Sequence, residues 1–176
     1  KAAAGLNHPN ICTIHGIEEA EGPAYAHGAS AGKKTFIVME FVDGQTLQEK
    51  KSSRSMKQAL EIGIQIADGL AAAHEKGIIH RDIKPGNLFL CERGGQPDTL
   101  KVLDFGLVQD TSARSGIPGT PSEGGKATSR FLGTPLYMAP ETIRQPGHGD
   151  VASDLYALSA VAFVLVTGRP PFPAAS

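Results

Sequence analysis

His80-Arg81-Asp82-Ile83-Lys84-Pro85-Gly86-Asn87 decides how this chain is read. The stretch lies between a helical pattern that stops at Gly77 and an apolar run from Asn87 to Cys91. Asp82, Lys84 and Asn87 therefore project from a loop braced on both sides, the kind of position where chemistry concentrates. Taken alone, an Asp–Lys pair in a loop is usually a surface ion pair, and Asn often caps a turn. Two further blocks change that balance. Asp104-Phe105-Gly106 stands seventeen residues after Asn87, directly behind a predicted strand, and Gly133-Thr134-Pro135-Leu136-Tyr137-Met138-Ala139-Pro140-Glu141 follows later.

Outward from the loop, apolar residues at three- and four-residue spacing predict a helix over Met56–Lys76. Its stripe is Met56, Leu60, Ile64, Ala67, Leu70, Ala71 and His74, with Gly77 as a left-handed stop. Strands are expected at Asn87–Cys91 and Thr99–Val102, joined by the turn-rich Glu92–Asp98. Toward the amino end, Lys1–Leu6 reads as a helix tail that gives way at Asn7-His8-Pro9-Asn10. Strands at Ile11–Ile17 and Thr35–Val42 flank a Gly-rich loop over residues 20–34. Toward the carboxyl end, residues 111–129 are dominated by Ser, Thr, Gly and Pro and cannot pack a core. A helix capped by Ser153 should run to Gly168, after which Pro170 and Pro171 forbid continuation. No internal repeat is present. Strand pairs followed by a helix-rich remainder suggest an α+β fold.

Composition narrows the function classes. With 176 residues, 40% of them hydrophobic and 20% charged, the chain can form one domain with a sizeable core. A formal net charge of -1 gives no reason to expect nucleic acid or an anionic membrane as partner. Cys12 and Cys91 lie far apart, match no metal-ligand spacing, and read as buried thiols of a reducing compartment. The longest apolar run, Leu155–Val166, is shorter than the roughly 20 residues a bilayer requires, so no membrane segment is expected in this chain. No signal peptide is visible and there is no starting Met, so the true amino terminus is not seen, and the cytoplasm is the default location.

The three blocks, in this order, resemble the catalytic loop, metal-binding loop and activation-segment end of eukaryotic-type protein kinases. The resemblance runs from LNHPN at 6–10 to SDLYALSAVAFVLVTGRPPF at 153–172. It implies a two-lobe kinase fold: residues 1–42 closing the smaller lobe and hinge, residues 43–176 forming the helix-rich lobe, and an activation segment at 104–141. It also implies ATP and Mg²⁺ as cofactors and a Ser or Thr hydroxyl of a protein as acceptor. Phosphoryl transfer needs a metal on the phosphates, a group orienting the hydroxyl, and positive charge near the moving phosphoryl. By resemblance Asn87 and Asp104 hold the metal, Asp82 orients the hydroxyl, Lys84 supplies charge, and Thr134 contacts Asp82. Met39 would guard the back of the nucleotide pocket, the backbone of Glu40 and Val42 would bond adenine, and Phe89, on the strand face shared with Asn87, would form its floor. His80 and Phe105 should stack, and Asp154 should accept N–H groups from the catalytic loop. Ser159 stands where the family usually has Gly.

Lys84 and Thr134 favour a Ser/Thr over a tyrosine kinase, while HPNICTIHGI and SDLYALS resemble bacterial members, which are often tethered by a later membrane helix. The rivals are a small-molecule phosphotransferase, disfavoured by Arg81 and the Ala139-Pro140-Glu141 ending, and a pseudokinase or nucleotide-binding scaffold. Nothing visible is degraded, although the Gly-rich loop and phosphate-gripping Lys would lie before residue 1. These 176 residues alone are accordingly expected to be inactive. Thr128, six residues before Thr134, is the expected activating phosphosite, with Arg81, Arg130 or Lys126 as partners for its phosphate.

Overall fold

Strands β1 (Ile14–Glu21), β2 (Lys33–Met39) and β3 (Gly44–Thr46) precede helix α1 (Met56–His74). Strands β4 (Leu88–Arg93) and β5 (Gln96–Val102) follow, then a short helix α2 (Pro140–Arg144) and a long helix α3 (Val151–Thr167). This is a computed structural model, and it describes residues 5–21, 33–50, 54–93, 96–105, 135–145 and 149–172. β1 and β2 form one antiparallel pair, while β3, β4 and β5 form a second, antiparallel sheet in that spatial order. The mix of small sheets and helices is α+β, as expected.

Capping boxes begin both long helices. Ser55 Oγ accepts the N–H of Gln58, and Gln58 Oε1 accepts the N–H of Ser55. For α3 the cap is Asp150, three residues earlier than the expected Ser153, which instead closes the box from inside the first turn. Carboxylates cap as well as hydroxyls, and Asp150 also sits favourably at the positive helix end. At the far ends Gly77 and Gly168 both adopt positive φ, 70° and 72°. Gly77 N–H bonds His74 O while Ile78 N–H bonds Ala73 O, the paired closure of a Schellman turn.

Of the expected α1 stripe only Leu70 is fully buried. Ala59, Ile62, Ile66, Leu70 and Ala73 point inward, whereas Met56, Leu60 and Ile64 are each about 60% exposed. α1 carries two apolar stripes, and spacing alone cannot say which one meets a partner. The buried stripe packs against α3 and β5, joining Ala157, Val161, Leu165, Leu100 and Val102 in a single core. Each fully buried Leu, Ile or Val contributes about 1.5–3 kcal/mol.

Strand limits also shift. β1 begins at Ile14 rather than Ile11, and Ile11 instead bridges Val102 in parallel. β2 ends at Met39, three residues before the expected Val42, and β4 and β5 both extend into the turn-rich connection. Asn87 ends a 3₁₀ turn (Pro85–Asn87) instead of opening β4. Asn10 fastens the segment before β1 to this framework: its Nδ2 donates to Leu100 O and to Gln65 Oε1. Gly69 permits that approach, since a Cβ there would stand 3.2 Å from Asn10 O.

Candidate active site

The loop from His80 to Asn87 is held from beneath by α3. Asp154, 1% exposed, accepts the N–H of His80 on Oδ2 and that of Arg81 on Oδ1, both at 2.8 Å. His74 Nε2, at the end of α1, lies 2.8 Å from the same Oδ2. Arg81 needs this support because its φ is 69°, a conformation that costs a non-glycine residue about 1–3 kcal/mol. Gly149 makes room for it: a Cβ there would stand 3.0 Å from Arg81 Cγ.

His80 is fully buried and joins the two candidate loops. Its ring meets Phe105 edge-to-face at 4.7 Å, the expected stacking. His80 Nε2 lies 2.8 Å from Leu103 O, and Nδ1 lies 3.2 Å from the N–H of Asp82. A carbonyl only accepts and an N–H only donates, so the ring is neutral with its proton on Nε2. Burial lowers its pKa below the ordinary 6.5, outweighing the Leu103 carbonyl and the carboxylates of Asp154, Asp82 and Asp104.

Above this support three polar side chains converge. Lys84 Nζ donates to Asp82 Oδ2 at 2.6 Å, and Asn87 Nδ2 donates to the same oxygen at 3.0 Å and to Asp82 O at 2.8 Å. Asn87 thus spends its nitrogen on Asp82, and its amide oxygen is the atom suited to a cation. Leu103 N–H bonds Asn87 O at 2.9 Å, which brings Asp104 alongside. Asp104 is exposed and also adopts positive φ, 63°. One carboxylate and one amide oxygen suit Mg²⁺, which takes few protein ligands and completes its shell with phosphate oxygens and water. No group of three or more His, Cys, Asp or Glu side chains that could hold a metal gathers among the described residues.

Toward the hinge, Met39 ends β2 opposite Ile14, and Glu40 N–H bonds Thr13 O at 2.8 Å. That bond occupies the Glu40 N–H, and Sγ of Cys12 approaches the Glu40 carbonyl at 3.6 Å. The Cys12 thiol is pushed up by burial and then by Glu40. Val42 is half-buried. In β4, Leu88 and Leu90 are buried while Phe89 faces the other way, half-buried, as alternation requires.

Sequence reasoning passed over Lys101. It is 3% exposed, and its Nζ bonds Glu40 Oε2 at 2.7 Å and Ile11 O at 3.3 Å. Alternation along β5 places Lys101 opposite the buried Leu100 and Val102, which reads as a solvent position. The segment before β1 covers that face, as its parallel bridge from Ile11 to Val102 shows. Gln65 was missed likewise: its Oε1 accepts both Asn10 Nδ2 and the N–H of Leu100. Thr134, Thr128, Arg130 and Lys126 lie outside the described residues.

A loop carboxylate bonded by an ammonium and an amide, with a second carboxylate following a strand, is chemically suited to phosphoryl transfer. The protein kinase domain model matches residues 1–176, and the chain belongs to that family. It is 35% identical over 173 residues to the serine/threonine-protein kinase PknB of Mycobacterium leprae, covering 97% of this chain and 25% of that protein. To Pkn1 of Myxococcus xanthus, also a serine/threonine-protein kinase, it is 40% identical over 169 residues, 95% of this chain and 21% of the relative. For pkn3 of the same organism, another serine/threonine-protein kinase, the figures are 37% over 175 residues, 98% and 29%. The chain spans about a quarter of the length of the curated relatives it matches. Protein kinases as a family use ATP with Mg²⁺ and act on proteins. Among the described residues no helix is long and apolar enough to cross a membrane.

Proposed function

We propose that the protein transfers the γ-phosphoryl group of ATP to Ser or Thr hydroxyls of protein substrates on the cytoplasmic side, where ATP is supplied. The observation that carries this reading is the convergence of Lys84 Nζ and Asn87 Nδ2 on Asp82 Oδ2. Those two donors fix the Asp82 carboxylate, whose other oxygen orients the incoming hydroxyl and accepts its proton. Lys84, one hydrogen bond from that carboxylate, supplies positive charge where the phosphoryl moves. Asn87 Oδ1 and Asp104 hold Mg²⁺, which neutralises the phosphates. Phe89 provides a flat apolar surface under the adenine, the Glu40 carbonyl and Val42 backbone bond its edge, and Met39 closes the rear. Thr134 is assigned to the acceptor side of Asp82.

Among the described residues Arg81 Nε is buried without a hydrogen-bond partner, which supports a role in receiving a phosphate on Thr128. Mass spectrometry of the active full-length protein should find that phosphate; a fully active protein without it rejects the role.

The central test is transfer from γ-labelled ATP, in the presence of Mg²⁺, by the full-length protein to a general Ser/Thr acceptor such as myelin basic protein. Labelled phosphoserine and phosphothreonine, lost on chelating Mg²⁺, are the expected products. Label appearing only on phosphotyrosine or only on small molecules would overturn the assignment.

A further inference from the structure

Two buried polar atoms beside the catalytic loop have no hydrogen-bond partner among the described residues: Nε of Arg81 and Oγ1 of Thr142. Both residues line one small cavity of about 20 Å³, together with Asp82, Tyr137, Ser153 and Asp154. The two atoms come from different parts of the chain. Arg81 precedes Asp82, and its aliphatic stem runs against the approach to α3, since a Cβ on Gly149 would stand 3.0 Å from its Cγ and 3.5 Å from its Cδ. Thr142 belongs to α2. A helical Thr commonly returns its hydroxyl to a carbonyl three or four residues back; Thr142 makes no such bond. The neighbouring polar groups are already engaged. Asp154 accepts the N–H groups of His80 and Arg81 and meets His74, while Ser153 Oγ donates to Asp150 O and accepts the N–H of Asp150.

A polar cavity of roughly 10–15 Å³ or more, with at least two hydrogen-bonding groups, holds a water molecule. This one has room for about one. An Nε–H only donates, whereas a hydroxyl does either, and a water accepts from the first while bonding the second. We propose that the cavity is a site for one structural water, which accepts the Nε–H of Arg81 and hydrogen-bonds Oγ1 of Thr142. The water fastens α2 to the residue that carries Asp82. Thr142 is thereby a positioning residue: the spacing between α2 and the catalytic loop is held while the bridge is made. The bridge uses one of the five guanidinium N–H groups, and the terminal nitrogens remain for the phosphate proposed on Thr128. The site itself stands on the cavity and its two polar atoms; its effect on turnover rests on the kinase reading above.

The first test is a crystal structure of the full-length protein at a resolution that shows ordered water. One water should lie about 2.7–3.2 Å from both Arg81 Nε and Thr142 Oγ1. No density between them, or an Nε bonded instead to a side chain or a phosphate oxygen, overturns the inference. The second test is Thr142→Val, which keeps the shape of the side chain and removes the hydroxyl. Its kcat should fall about threefold to tenfold with the KM for ATP within about twofold of the parent, because a small displacement of Asp82 acts on the hydroxyl to be phosphorylated and not on the nucleotide. Thr142→Ser keeps the hydroxyl and should retain the parental kcat. A Thr142→Val protein with a lower thermal midpoint but an unchanged kcat overturns the positioning role. Should Thr142→Val not fold, the water in the parent structure still decides. A parent protein that phosphorylates no peptide or protein counts instead against the kinase reading, and the crystal structure then tests the water site by itself.

Discussion

The carboxylate of Asp154 accepts the N–H of His80 at 2.8 Å, tying the buried start of α3 to the entry of the catalytic loop. Its second oxygen takes the N–H of Arg81, so both peptide groups before Asp82 are fixed by one side chain. α3 supplies no group to the candidate chemistry, yet it sets the backbone from which Asp82 projects. Rigid support of this kind lets a loop hold a strained residue such as Arg81 in one conformation.

Replacing Asp154 with Ala should therefore damage stability and turnover together. Asp154 accepts two backbone N–H groups in the buried interior, and hydrogen bonds to a carboxylate contribute about 1.5–3 kcal/mol each. Urea denaturation should show a loss of that size. Asp154→Asn keeps one accepting oxygen and should lose less. A loss below about 1 kcal/mol for Asp154→Ala would show that the loop does not depend on this carboxylate.

His80 should make stability depend on pH in one direction. Its folded pKa is lowered, chiefly by burial, below the ordinary 6.5. At pH below 6.5 the unfolded chain binds the proton more readily than the folded one, so acid favours unfolding. The contribution is complete above pH 6.5 and falls by about 1.4 kcal/mol per unit as pH drops toward the folded value. Protonation of the folded protein would also place a second N–H against the N–H of Asp82, so activity should fall only at lower pH, as it drops through the lowered folded value. Denaturation midpoints compared at pH 7.5 and 5.5 test this. His80→Phe, destabilised overall by two lost hydrogen bonds, should shed that part of the slope, and an identical slope in both proteins would contradict the assignment.

The loop and its supports were legible in the sequence because motifs fix them: the His80–Phe105 stacking and the Asp154 bonds appear where expected. Both glycine stops were legible for the same local reason, a backbone position with positive φ. What escaped depends on contacts between distant segments. Met56, Leu60 and Ile64 make as regular a stripe as the buried one, and only the placement of α3 and β5 breaks the tie. Lys101 looks like a surface residue until the Ile11 segment covers it and Glu40 meets its charge. Spacing encodes which residues share a face; it does not encode what lies opposite.

Asp82→Asn should separate chemistry from binding. The amide can still accept from Lys84, so the loop keeps its shape, but it cannot take a proton from the hydroxyl. A positioned general base is worth about 10²–10⁴-fold, roughly 3–5 kcal/mol at the barrier. Steady-state kinetics of the full-length protein should show kcat reduced by that factor, with MgATP affinity within about twofold of the parent. Near-normal peptide phosphorylation by the variant would remove Asp82 from its proposed role.

Asp104 and Asn87 should differ in a way that reveals what each holds. Asp104→Ala deletes a carboxylate that, among the described residues, makes no hydrogen bond of its own, so its loss should fall on the metal. MgATP binding should weaken about tenfold or more, and the dependence of affinity on Mg²⁺ should flatten. Asn87 has two duties: its amide oxygen is assigned to the metal, while its nitrogen holds Asp82 O and Oδ2. Asn87→Ala should therefore weaken MgATP less, since a neutral ligand is lost, but should also lower kcat because Asp82 is freed on one side. Asn87→Asp restores a metal-binding oxygen and not the donor, so it should recover nucleotide affinity without recovering kcat. Calorimetric titration with MgATP, paired with turnover measurements, reads both quantities. Unchanged affinity and unchanged magnesium dependence in Asp104→Ala would place the metal elsewhere.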